Sequence, residues 1–320
     1  MISLRWSHFL LVCLPLAGAF QAAAQKNLDV FLLIGQSNMS GRGVMIASDL
    51  VTPIPGTWLF KDSLTWEPAL NPLNRYSTLE AGSSANQVGP GFGFTTEMRR
   101  LRPGTELGLV VNARGGSSIV AWAKGTQYYK DALTRARQGA KAGKLKGILW
   151  HQGETDKTDA AYLDKLVALM ESLRKDLGDT ALPVIAGQIG QFNSSHAAFN
   201  TRLLKLTERL SHSLVVKSDG LDDRGDNLHF DRPAQITLGK RYAAAAMDLV
   251  YQGGSTGMRI AAEPASRNGT LPAWTGMILS PRKGTLAGET GFSDALGRIP
   301  RGTKSLDIRH GAQDKRADRP

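Results

Sequence analysis

One serine closes an apolar run, Val30-Phe31-Leu32-Leu33-Ile34-Gly35-Gln36-Ser37-Asn38-Met39. A hydroxyl at the end of a buried segment is a candidate nucleophile. It needs a base to take its proton and donors for the charge that develops on an attacked carbonyl. Residues 35–38 can equally do no more than close a strand, so a partner elsewhere must decide. That partner is Asp226-Asn227-Leu228-His229. An Asp three residues ahead of a His fits one turn, where its carboxylate reaches Nδ1 and leaves Nε2 for the serine. The same spacing also makes plain local turns; the chain order Ser, Asp, His gives it weight. Two further stretches carry donors. In Asn112-Ala113-Arg114-Gly115-Gly116-Ser117-Ser118, a Gly-Gly turn can expose a backbone N–H. In Trp150-His151-Gln152-Gly153-Glu154-Thr155-Asp156, Gln152 offers a side-chain N–H. Taken singly, the first is an ordinary turn and the second a helix-capping cluster.

The elements that must position these residues follow from hydrophobic patterning. Short apolar segments predict strands over 28–34, 107–112, 147–151, 183–189 and 214–217, alternating with helical periodicity over 160–177 and 235–250. Weaker helical patterns cover 94–101, 128–142 and 197–210. Alternation of this kind implies an α/β fold, a central parallel sheet of about five strands covered on both faces. Such a sheet binds ligands beyond the carboxyl ends of its strands, where three of the four stretches fall, while 226–229 lies just before the last helical segment. Residues 40–90 break the pattern. They are long, Pro- and Gly-rich, and carry Trp58, Trp66 and Tyr76, as expected of an irregular binding loop. The two tryptophans suit either a sugar ring or a plug that fixes the loop to the body.

Composition narrows the function classes. Residues 1–24 have Arg5, an apolar stretch over 9–20 and Ala22-Ala23-Ala24, the layout of a cleavable secretory signal peptide, with cleavage expected after Ala24. The alternative is a short anchor helix, though the apolar stretch is too short to span a bilayer. No transmembrane segment is expected after cleavage. The single cysteine, Cys13, lies in that leader, so the mature chain would have no disulfide, thiolate metal site or cysteine nucleophile. The histidines form no His-x-x-x-His or comparable pair, and no metal is expected. The net charge of +11 spreads out, with +5 on residues 25–252 and +5 on residues 253–320. Without a basic stripe or a basic-aromatic module, nucleic acid is not an expected partner. Residues 253–320, with eleven glycines and five prolines, read as a disordered basic tail, or alternatively as a small β module.

Together, Gly35-Gln36-Ser37-Asn38-Met39, Arg114-Gly115-Gly116-Ser117, His151-Gln152-Gly153-Glu154-Thr155-Asp156 and Asp226-Asn227-Leu228-His229-Phe230 resemble the sialate O-acetylesterase-type branch of the SGNH hydrolases. That branch includes the acetylxylan esterases of carbohydrate esterase family 6. The resemblance covers residues 28–250 and implies a three-layer α/β/α, flavodoxin-like fold for an esterase domain over 25–252. It makes Ser37 the nucleophile, His229 the general base and then acid, and Asp226 its orienter. The oxyanion hole would comprise the N–H of Ser37, an N–H at Gly115 or Gly116, and the side chain of Gln152. Arg114 departs from the small or apolar residue expected before the glycines and becomes a candidate substrate ligand. Glu154 is a candidate substrate ligand or alternative triad acid, with Asp226 favoured because its contact is local. The implied reaction removes an O-acetyl group from a carbohydrate without metal or organic cofactor. A superfamily member acting on longer acyl chains, or an inactive carbohydrate-binding relative, is the alternative.

Overall fold

The structure, a computed structural model, describes residues 27–251. The expected leader, 1–24, and tail, 253–320, lie outside the described residues. Strands β1 (Leu28–Gly35), β2 (Thr57–Phe60), β3 (Trp66–Pro68), β4 (Leu107–Val111), β5 (Gly143–His151), β6 (Val184–Gly187) and β7 (Ser213–Val216) form one sheet, ordered β3-β2-β4-β1-β5-β6-β7. Every pairing is parallel except β2 with β3. The helices are α1 (Ser37–Ser40), α2 (Ala47–Val51), α3 (Pro90–Leu101), α4 (Gln127–Gly139), α5 (Tyr162–Leu177), α6 (Ser195–Leu204), α7 (Leu206–Arg209) and α8 (Arg232–Ala246).

Without its β2-β3 edge, the sheet has the doubly wound flavodoxin-like order, with β1 flanked by β4 and β5. All five expected strands are present. The sheet has seven rather than five because residues 40–90 are not wholly irregular. Thr57-Trp58-Leu59-Phe60 pairs in parallel with β4, and Trp66-Glu67-Pro68 folds back against it. Four- and three-residue strands among prolines and glycines leave too few positions for a period-2 pattern.

β1 explains the three layers. Val30, Leu32 and Ile34 enter one core with residues of α4, α5 and α6. Phe31 and Leu33 point the other way, into a core with α3 and α8. A strand covered on both faces reads as a continuous apolar run, which the chain shows there. Helices α3 and α8 approach backbone to backbone. A Cβ at Gly93 would overlap Ile236 O, and one at Gly239 would overlap Pro90 O. Helix α8 starts at Arg232, earlier than its apolar periodicity, because Asp231 caps it by accepting from Ala234 N at 2.7 Å and a proline follows within the first turn. Its start therefore lies three residues beyond His229. No helix among the described residues is long and apolar enough to cross a membrane.

Candidate active site

β1 ends at Gly35, whose φ of 140° only glycine tolerates readily and where a Cβ would overlap His151 O. The chain turns there into α1, so Ser37 stands just beyond the sheet's carboxyl edge, buried but lining a cleft of about 480 Å³. The turn 226–229 meets it from the opposite wall. Asp226 Oδ1 accepts from Leu228 N at 3.0 Å and His229 N at 2.8 Å, while Asn227 takes φ 54°, a left-handed conformation Asn tolerates better than most residues. Asp226 Oδ2 lies 2.7 Å from His229 Nδ1, and His229 Nε2 lies 3.0 Å from Ser37 Oγ. A carboxylate can only accept, so Nδ1 donates and, in the neutral ring, Nε2 is free to accept from the serine. Burial works against the charge on Asp226, but the two amides and the imidazole outweigh it and hold the carboxyl below the ordinary aspartate value.

The spacing between Ser37 and His229 is braced by Asn38, which is fully buried. Its Nδ2 donates to Glu154 Oε1 at 2.6 Å and to Leu228 O at 3.2 Å. Its Oδ1 accepts from Phe230 N at 3.1 Å and Gln235 Nε2 at 3.2 Å. One amide thus joins the residue after the serine to both neighbours of the histidine. Glu154 touches the edge of the cleft but is almost wholly buried beneath it, 3.6 Å from His151 Nε2. Burial opposes its charge, while His151 and Asn38 more than compensate and keep its carboxyl below the usual glutamate range.

The remaining expected residues divide. Gly115 and Gly116 both line the cleft. The Gly115 N–H is already given to Glu80 Oε2 at 3.0 Å, whereas among the described residues the amide hydrogens of Gly116 and Ser37 have no partner. Gly116 sits at φ 67°, with open space where a Cβ would be, so its requirement for glycine is conformational. Gln152 is fully buried behind the cleft. Its Nε2 donates to Ser117 O at 3.1 Å and to Asp156, which holds the amide toward the loop. Arg114 Nη1 lies 3.4 Å from Glu80.

Two lining residues, Arg42 and Glu80, come from the long segment and carry no motif that sequence reasoning can detect. Trp58 and Trp66 pack against the core and are absent from the cleft lining, so of the two roles open to them the plug is the observed one. Trp66 packs against Phe60, their ring centres 5.0 Å apart and their planes tilted by 56°.

The sheet order, with Ser37 just beyond the end of β1, is the three-layer α/β architecture expected of an SGNH-type hydrolase. The chain belongs to the carbohydrate esterase family described as sialic acid-specific acetylesterases, whose profile matches residues 27–248. A probable carbohydrate esterase of Arabidopsis thaliana is 32% identical over 237 residues, spanning 68% of this chain and 89% of that protein. A crystal structure of an Arabidopsis thaliana protein superposes with a TM-score of 0.63 at 29% identity, over 70% of this chain and 99% of that one. A carbohydrate acetylesterase from Xanthomonas citri shares the fold, with a TM-score of 0.53 at 21% identity, over 70% of this chain and 57% of that one.

Proposed function

We propose that the chain removes O-acetyl groups from carbohydrates through an acetyl-serine intermediate. The observation that carries this reading is the continuous relay from Asp226 through His229 to Ser37, opening on a cleft in a carbohydrate esterase fold. Ser37 Oγ attacks the acetyl carbon and passes its proton to His229 Nε2. The carbonyl oxygen takes up the charge and is met by the free amides of Ser37 and Gly116. Collapse expels the sugar oxygen, which His229 protonates. A water that gives its proton to the same nitrogen then attacks the acetyl group, releasing acetate and restoring the serine. Asp226 fixes the tautomer throughout. Gln152, the third donor implied by the resemblance, holds Ser117 and Asp156, and reaches the oxyanion only by exchanging one of them.

A lining that includes Gln36, Arg42, Glu80, Thr155 and Lys157 suits a short acyl group on a hydroxyl-rich alcohol better than a long acyl chain. Acetate release from 4-nitrophenyl acetate and from a panel of acetylated xylan, sialic acid and simple sugar acetates tests the reading. Ser37→Ala should abolish release; an unchanged rate would overturn both the mechanism and the role of this serine. Faster turnover of the octanoyl than the acetyl ester would overturn the substrate class. We further propose export by residues 1–24, tested by N-terminal sequencing of the exported protein for a start at Gln25.

A further inference from the structure

The two proposed oxyanion amides sit on separate connections, Ser37 at the start of α1 after β1 and Gly116 after β4, and something must fix their separation. Glu80 stands between the loops, its side chain only 6% exposed. One carboxylate oxygen accepts from Gly115 N at 3.0 Å. The other faces Arg114 Nη1 at 3.4 Å and Arg42 Nη2 at 3.6 Å. Arg42, itself buried, is secured by Nη1 to Ser40 Oγ at 2.7 Å, Gly41 O at 2.7 Å and Ala85 O at 2.9 Å. Ser40 Oγ in turn donates to Ser37 O at 3.0 Å. An unbroken polar chain thus runs from the serine's own carbonyl, through Ser40, Arg42 and Glu80, to the amide beside Gly116. The backbone of Glu80 is anchored as well, with its carbonyl accepting from Asn86 Nδ2 at 2.9 Å.

An unneutralised carboxylate this close to a developing oxyanion would oppose it. The two guanidiniums that flank Glu80 more than offset that charge, and its hydrogen bond engages the Gly115 amide while leaving that of Gly116 free. We propose that Glu80, held by Arg42, is a positioning residue that sets the spacing of the two oxyanion donors. This role rests on the serine-esterase reading above.

The test compares Glu80→Ala, Glu80→Gln and Gly115→Ala with the parent and Ser37→Ala, using 4-nitrophenyl acetate kinetics and thermal unfolding. Outright loss of an oxyanion donor lowers kcat by about 10²–10³-fold, so misplacing one should lower it by roughly 10–10²-fold. Glu80→Ala should show that fall in kcat with KM within about threefold, since the donors act on the transition state. Glu80→Gln retains an oxygen for Gly115 N–H and should fall between Glu80→Ala and the parent. Gly115→Ala approaches the same carboxylate from the other side. Its Cβ would lie 2.9 Å from Glu80 Oε1 and 2.7 Å from Arg42 Nη2, so it should also lower kcat selectively, and it decides the matter if Glu80→Ala does not fold. A parent-like kcat in a folded Glu80→Ala or Gly115→Ala, or a loss confined to KM, would overturn the role. If Ser37→Ala stays active, the serine reading itself fails; if it is inactive while the Glu80 variants match the parent, only the positioning role does.

Discussion

At the residue scale, the part of the site visible in the sequence is the part built from short-range geometry. Asp226 and His229 are three positions apart, and their contact needs nothing beyond the turn that holds them. Asp226→Asn therefore isolates the carboxylate. Asn Oδ1 can keep the amides of Leu228 and His229, but an N–H then faces Nδ1 and forces the ring proton onto Nε2, where the serine must be accepted. The expected result is a kcat for acetyl ester hydrolysis lower by about 10²–10⁴-fold with an unfolding temperature lower by no more than a few degrees, because the Asp226 side chain is 40% exposed and solvent screens its charge. Steady-state kinetics with a parallel melt checks both halves, and a kcat within a few-fold of the parent would remove Asp226 from the relay. Asn38, Arg42 and Glu80 were illegible for the complementary reason. The Asn38 brace spans 116 to 197 positions of chain, and an Arg or Glu in a Gly/Pro-rich segment looks like any solvated residue until the fold brings it to the cleft.

At the element scale, the five expected strands were legible as continuous apolar runs, whereas β2 forms along the edge that β4 offers and β3 along the edge of β2. Position also depends on ties between elements that no local pattern encodes. Asp49 on α2 accepts from both terminal nitrogens of Arg232, the first residue of α8, at 2.5 and 3.0 Å, and from Ile46 N at 2.8 Å. Burial opposes the charge on Asp49, but Arg232 and the amide outweigh it and lower its carboxyl below the ordinary value. Because the folded value lies below the unfolded one, this contribution to stability is complete above about pH 4 and disappears as pH falls through the folded value. Asp49→Asn should cost about 1–3 kcal/mol at pH 7, with a smaller difference from the parent near pH 3. Urea midpoints at the two pH values measure this, and an equal deficit at both would show that the charge is irrelevant to the tie.

At the scale of the whole molecule, every cleft residue named above lies between Gln36 and His229, and the family match ends at residue 248. The chain's last described contacts run slightly further. After α8, Met247–Tyr251 forms one π-helical turn whose Met247, Leu249, Val250 and Tyr251 pack on the core shared by α3 and α8. Tyr251 donates from its hydroxyl to Asp29 Oδ2 at 2.7 Å, at the start of β1, and the Arg102 guanidinium lies 4.1 Å from its ring centre. This turn ties the last described residues to the strand that leads to Ser37. Two truncations should therefore behave differently although they differ by only six residues. Removing residues 253–320 should leave kcat for an acetyl ester within about twofold and the unfolding temperature within about 2 °C, a change within the range of an uninvolved segment. Removing residues 247–320 also deletes a packed aromatic, its hydrogen bond and three aliphatic contacts, which should cost about 3 kcal/mol and lower the melting temperature by roughly 5–10 °C. Differential scanning calorimetry and esterase assays on both proteins give the comparison. If the shorter deletion alone lowered stability by several degrees, residues 253–320 would belong to the folded body and a domain boundary at 252 would be wrong.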